Sequence, residues 1–188
     1  MNSPLIPPAL TAARPPDFSA SQFRDALGMF ATGVTIVTAL DATGRPVGMT
    51  ASSFNSVSLN PPLVLWSLAH KTTTLAAFAR GRHYAIHVLA VEQRELAERF
   101  ATRGIDRFAG VAWQPNADGV PILDGAAAVF ECFNRSQYDE GDHTILIGQV
   151  ERCRHLEGSS PLLYHGGMFY TEHPLGNLSA AAERPLHK

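Results

Sequence analysis

VGMTASSFNSVSLNPPLVLW, residues Val47 to Trp66, is the stretch from which the rest of the chain can be placed. It opens extended, and its middle, Thr50-Ala51-Ser52-Ser53, carries hydroxyls or almost no side chain. A strand that only fills a core uses Val, Ile and aromatic residues at its inward positions. Small and hydroxylated residues in a row leave backbone N–H and C=O groups open to close approach, which suits a flat, polar-edged ligand at a strand end. The same residues suit an edge strand or a turn, so their chemistry alone leaves both readings open. Phe54, Val57 and Leu59 follow. Pro61-Pro62 is expected to impose an extended break before the apolar strand Leu63-Val64-Leu65-Trp66.

Upstream, Val34 to Leu40 is a β-branched strand, and the turn Asp41-Ala42-Thr43-Gly44 returns the chain as the Val47 segment, predicting a hairpin. Before it, Asp17 or Ser19 can cap a helix whose stripe is Phe23, Leu27 and Phe30, ended by Gly33. Downstream, Thr72 or Thr73 can cap a short helix carrying Leu75 and Phe78 and stopped by Gly81. His83 to Ala90 is a strand with Tyr84, Ile86 and Val88 on one face and His83, Ala85 and His87 on a solvated other face. Glu92 to Ala101 is helical, and residues 103–124 form a loop pinned by Phe108 and Trp113. Ala126 to Asn134 is a strand, Asp139 to Asp142 a polar turn, and His143 to Arg152 a strand with Ile145, Ile147 and Gly148 inward. A last strand from Leu162 to Tyr170 is interrupted at His165-Gly166-Gly167. Six or so strands with mostly short links and helices in unequal places predict a mainly β fold, an antiparallel barrel with a few flanking helices.

A length of 188 residues suits one domain, expected over residues 18–173, with a flexible Pro-rich arm over 1–17 and a loose tail over 174–188. The arm holds five prolines and lacks the basic start and apolar block of a signal peptide. A net charge of −2 with scattered Lys and Arg argues against nucleic acid as a partner. No apolar run reaches the roughly 18 residues needed to cross a bilayer, so no membrane partner and a cytoplasmic location are expected. Cys132 and Cys153 are then expected as reduced thiols.

Dinucleotide-fingerprint, P-loop, nucleophile-elbow and zinc-protease motifs are all absent from the sequence. His83 and His87 share a strand face but lack a third ligand, so no metal is expected. Asp142 and His143 are neighbours expected to point opposite ways on a strand, hence no catalytic pair. Thr72-Thr73-Thr74 beside Lys71 is more telling. Hydroxyls, free N–H groups and a cation at a helix start make an anion site, with plain N-capping as the alternative.

In order, FATGVTIVT (Phe30 to Thr38), the Val47 stretch, KTTTLAAFARGRHYAIHVLA, RFA, DRFAGVAW, GDHTILIGQV and PLLYHGGMFY resemble the short flavin reductases of two-component monooxygenases. The resemblance covers about Phe23 to Tyr170. It implies a six-stranded Greek-key split barrel of the FMN-binding type, working as a homodimer. It implies hydride transfer from NADH or NADPH to FMN or FAD, with reduced flavin diffusing to a flavin-dependent monooxygenase. Carried over, Met49, Thr50, Ala51, Ser52 and Ser53 would line the flavin ring, continued by Ser67, Leu68 and Ala69. Lys71, Thr73 and Thr74 would hold the phosphate, and Arg99 and Phe100 the ribityl or phosphate side. His143 and Tyr164-His165-Gly166-Gly167 would receive the nicotinamide, His143 as the catalytic positioning group. Two departures stand out: Gly167 replaces a frequent Arg, and His87 replaces a usual Asn. A flavin-binding electron carrier on the same barrel is the runner-up reading.

Overall fold

The computed structural model describes residues 14–173, so most of the expected arm and all of the expected tail lie outside the described residues. The chain is mainly β with a few helices. Helix α1 spans Ala20–Gly28 and carries a capping box: Ser19 Oγ accepts from Gln22 N–H, and the Gln22 side chain accepts from Ser19 N–H. It ends at Gly28 rather than Gly33, and its apolar stripe is open to solvent, with Phe23 51% and Leu27 57% exposed.

Strand β1 (Thr32–Gly33) leads into the predicted hairpin of β2 (Thr35–Leu40) and β3 (Pro46–Ala51). Asp41 builds the turn: its Oδ1 accepts from the N–H groups of Thr43 and Arg45 and from the Thr43 hydroxyl. Those bonds, the Thr43 hydroxyl first, hold its carboxyl down at about 2. Strands β4 (Asn55–Leu59) and β5 (Pro62–Ala69) pair directly, Leu59 opposite Pro62, so Asn60-Pro61 is a tight reversal and not an extended break. The Val47 stretch thus supplies three strands.

After helix α2 (Leu75–Arg80) come β6 (His83–Val88), a 3₁₀ turn (Val91–Gln93) and helix α3 (Arg94–Ala101). The predicted loop over 103–124 contains a small hairpin, β7 (Trp113–Pro115) with β8 (Pro121–Leu123). Strands β9 (Ala128–Glu140) and β10 (His143–His155) form a long hairpin, the polar turn shrinking to Gly141-Asp142. Strands β11 (Leu163–His165) and β12 (Met168–Tyr170) pair with each other, and β11 also pairs with β1. Gly166 and Gly167, at φ 56° and 85°, are therefore the turn of a hairpin rather than an interruption of one strand. The main sheet runs β3-β2-β6-β9-β10-β5-β4, seven strands where six were expected, because β4 folds back as a strand of its own. No helix among the described residues is long and apolar enough to cross a membrane.

Register sets which side chains fill the interior. Trp66 and Leu68 of β5 are fully buried and stand opposite Leu146 and Thr144 of β10. Directly opposed residues share a face, so Thr144, Leu146 and Gly148 turn inward while Ile145 and Ile147 lie half-buried outside, the reverse of their expected side. Trp66 packs edge-on to Phe78 at 5.0 Å and to Tyr84 at 5.9 Å. A second cluster of Ile36, Leu89, Phe100 and Leu162 seats α3 on the sheet. Cys132 is buried and Cys153 exposed, each a free thiol, and burial pushes the Cys132 thiol up to about 12.

Strand β6 is buried on both faces, so His87 is not on a solvated face. Its Nδ1 lies 3.0 Å from Ile36 O and its Nε2 3.1 Å from Leu123 N, so Nδ1 donates and Nε2 accepts in one neutral tautomer. Burial lowers its pKa to about 4. The unfolded chain therefore binds this proton first. Stability is full above about pH 6.5 and is lost as pH falls toward about 4, by on the order of 3 kcal/mol. Urea midpoints measured across that window are expected to fall with pH, and His87→Asn is expected to flatten the slope. Equal slopes for both proteins would place the acid sensitivity elsewhere.

Candidate functional site

β3 closes one end of the main sheet, so among the described residues its outer backbone edge has no strand partner there. Gly48 lies midway along it. A Cβ at Gly48 would sit 2.6 Å from Phe100 Cε1, so the bare backbone is what lets the Phe100 ring pack against the strand. Thr50 Oγ1 donates to Ala97 O at 2.6 Å and ties the same strand to α3. The Lys71–Thr74 turn between β5 and α2 and the segment after α3 complete the lining of a cleft along this strand. The enclosed cleft holds about 460 Å³, within the range of small-molecule sites.

The loop after α3 is pinned by its arginines. Arg107 donates from Nη1 to Gly48 O at 2.7 Å and from Nε to Thr102 O at 2.9 Å. Arg99 donates to Ala109 O at 3.0 Å and reaches Asp106 O at 3.4 Å, while Phe108 stacks edge-on with Phe100 at 5.1 Å. Among the described residues, Lys71, Arg103 and Arg107 make no ion pair within 4.0 Å. Burial, then the neighbouring Arg103 charge, lowers the Arg107 pKa. The cleft rim is therefore cationic.

Thr74, not Thr72 or Thr73, flanks α2, and its side chain makes no capping hydrogen bond. Its Oγ1 is buried with no hydrogen-bond partner among the described residues. An unsatisfied buried hydroxyl is costly, so this atom has the character of a group that awaits a ligand. Plain N-capping does not describe it.

Of the residues expected in the site, Met49, Thr50, Lys71, Thr73, Thr74 and Phe100 line this cleft. Ser53 and Ser67 instead bond each other: Ser53 Oγ accepts from Ser67 N–H at 2.9 Å and donates to Ser67 O at 3.1 Å. That clasp holds the end of β3 to β5. Ala51 and Leu68 are buried in the core, and Ser52 is exposed beside them. Arg99 lines a shallower neighbouring groove with Gln93 and Asp124. Ala69 stands opposite His143 in the β5–β10 ladder. Tyr164, His165, Gly166 and Gly167 form the β11–β12 hairpin, where Gly166 N–H donates to Gly28 O at the end of α1.

His143 begins β10, and its Nδ1 lies 2.6 Å from Asp142 Oδ1. Asp142 sits in the turn, outside strand alternation, so its carboxylate reaches back and the two do form a pair. The hydrogen bond from His143 is the first cause lowering the Asp142 pKa, so an ionised carboxylate accepts the Nδ1–H and leaves Nε2 available. His83 does not act with His87. Its Nδ1 is 3.7 Å from Asp118 and its Nε2 is 3.5 Å from Glu151, opposite ring nitrogens serving different carboxylates.

Gly48, Arg103 and Arg107 belong to the cleft but were not anticipated as site residues. No periodicity marks them. The available signals were two arginines four positions apart in a glycine-containing loop, with Arg107 in the DRFAGVAW segment and Gly48 in the Val47 stretch.

Fold and cleft together define an antiparallel β protein with a half-enclosed cationic cleft lined by hydroxyls and bare backbone. The chain belongs to the flavin reductase like domain family, whose model matches residues 27–173. It is 48% identical over 151 residues to FMN reductase (NADH) SmoA of Agrobacterium fabrum, covering 80% of this chain and 85% of that one. It is 43% identical over 150 residues to the reductase component of the flavin-dependent trigonelline monooxygenase of Acinetobacter baylyi, covering 80% of this chain but 48% of that longer one. Among solved structures, the Streptomyces globisporus NADH:FAD oxidoreductase SgcE6, in complex with NAD and FAD fragments, superposes with a TM-score of 0.78 at 36% identity. That match covers 84% of this chain and 94% of that one.

Proposed function

We propose that this protein is an NADH:flavin oxidoreductase that reduces FMN or FAD and supplies the reduced flavin to a flavin-dependent monooxygenase. One observation carries the reading. The cleft that brings Lys71, Thr73 and Thr74 together also presents the backbone edge of β3 to a ring, and Thr74 Oγ1 is unsatisfied there. That donor set fits a flavin with a phosphate at the hydroxyl end. When bound, the flavin supplies the hydride-accepting ring, and the hard chemistry is its own. The chain's residues hold and orient: Lys71, Thr73 and Thr74 the phosphate, Met49 and Thr50 the ring. Phe100 and the arginine-pinned loop fix the wall behind it, so little of the cleft must reorganise on binding.

His143, held by Asp142, is the positioning group for the nicotinamide side, with the Tyr164 to Gly167 hairpin as its second contact. We further infer that the sheet is the split barrel of Greek-key type over residues 18–173. We infer a homodimer, which the open stripe of α1 supports, and a cytoplasmic location.

Replacing Thr73 and Thr74 together by Val is expected to weaken FMN and FAD binding tenfold or more and riboflavin by less than about twofold. Titration of flavin fluorescence with each ligand measures this. Similar losses for all three would remove the phosphate assignment. In the same preparation, NADH oxidation is expected to depend on added flavin; a flavin-retaining carrier would show little such stimulation.

A further inference from the structure

The cleft carries its positive charge on two separate segments of its lining. Lys71, Thr73 and Thr74 belong to the turn before α2, and Arg103 and Arg107 to the loop after α3. Arg107 is engaged by two carbonyls, Gly48 O and Thr102 O, and is partly withdrawn from solvent. Arg103 is exposed beside it, with no hydrogen-bond partner or ion pair among the described residues. The one carboxylate on the cleft lining is Asp106, and its Oδ1 is turned into its own loop to accept from Phe108 N–H at 3.0 Å. Two neighbouring guanidinium groups, neither ion-paired among the described residues, are mutually repulsive and are relieved by a bound anion.

We propose that Arg103 is a specificity-determining residue that engages a second phosphate, so that the cleft accepts a dinucleotide pyrophosphate and not only a mononucleotide. This rests on the flavin-reductase reading above. The first phosphate sits at Lys71, Thr73 and Thr74; the second faces Arg103, with Arg107 bracing the loop through Gly48 O. A guanidinium is suited to this because its planar fork meets phosphate oxygens two at a time. The second phosphate can come from FAD or from the nicotinamide dinucleotide, which share the same chemistry.

The test is Arg103→Ala in the full-length protein, chosen because Arg103 holds no part of the fold, whereas Arg107 does. Affinities for riboflavin, FMN and FAD are titrated, and KM is measured for NADH and for reduced nicotinamide mononucleotide. If FAD supplies the second phosphate, its affinity falls about tenfold or more while FMN and riboflavin change by less than about twofold. If the nicotinamide dinucleotide supplies it, KM for NADH rises by a similar factor while KM for the mononucleotide and the flavin affinities hold. Either result supports the proposal. Equal losses for FMN and FAD, or no change in any of these quantities, overturn it. A wild-type protein that binds no flavin is a different failure, that of the parent reading.

Discussion

His143→Ala is expected to lower turnover about a hundredfold while flavin affinity changes by less than about twofold. The residue lies at the start of β10, beside the cleft and not among the groups lining it, so it has little to offer flavin binding itself. Its ring is held by a 2.6 Å bond to Asp142, which leaves Nε2 as the one available nitrogen. A group that places one reactant against another acts on the rate, and misplacement by about 1 Å costs roughly a hundredfold. Asp142→Asn is expected to cost less, about tenfold, because the ring stays but its tautomer is no longer imposed: an amide both donates and accepts. Stopped-flow reduction of bound flavin by NADH separates these effects from affinity. A parallel loss of flavin binding, with unchanged turnover per bound flavin, contradicts the role given to His143.

Gly148→Ala is expected to destabilise the protein by about 2–3 kcal/mol, seen as a fall in Tm of about 6–9 °C. A Cβ at this position would collide with Tyr84 Oη and come within 3.0 Å of Cys132 Cβ. Both neighbours are buried, Cys132 on the adjacent strand β9 and Tyr84 on β6 beyond it, and Tyr84 is further packed against Trp66. Among the described residues the Tyr84 hydroxyl makes no well-formed hydrogen bond, Trp66 being its nearest polar neighbour, and its burial pushes its pKa far above the ordinary tyrosine range. Tyr84→Phe alone is therefore expected to be close to neutral, and it should recover part of the Gly148→Ala loss. Additive effects in that double-mutant cycle would show that the collision lies elsewhere.

Local chemistry made much of this molecule legible. The β2–β3 hairpin follows from β-branched residues on either side of an Asp-initiated turn, and α2 ends at Gly81 as its sequence requires. Lys71, Thr73 and Thr74 share one cleft because they are neighbours in sequence. What could not be read depends on partners distant along the chain. Ile145 and Leu146 are equally apolar, and only the pairing of Leu146 with buried Trp66 decides which faces inward. Arg107 finds Gly48 O across 59 positions, so this part of the cleft has no local signature. Ser53 looked like a ligand contact and is a clasp to Ser67, since hydroxyls serve either role equally well. Pro61-Pro62 was read as extended because proline fixes one dihedral, yet a reversal satisfies the same constraint.

A crystal structure with bound FMN tests the central claim most directly. The phosphate is expected within hydrogen-bond distance, about 3 Å, of the Thr73 and Thr74 hydroxyls, with Lys71 beside it and the ring along Met49 and Thr50. A flavin seated in the groove of Gln93, Arg99 and Asp124, or anywhere that leaves Thr73 and Thr74 untouched, would contradict the account.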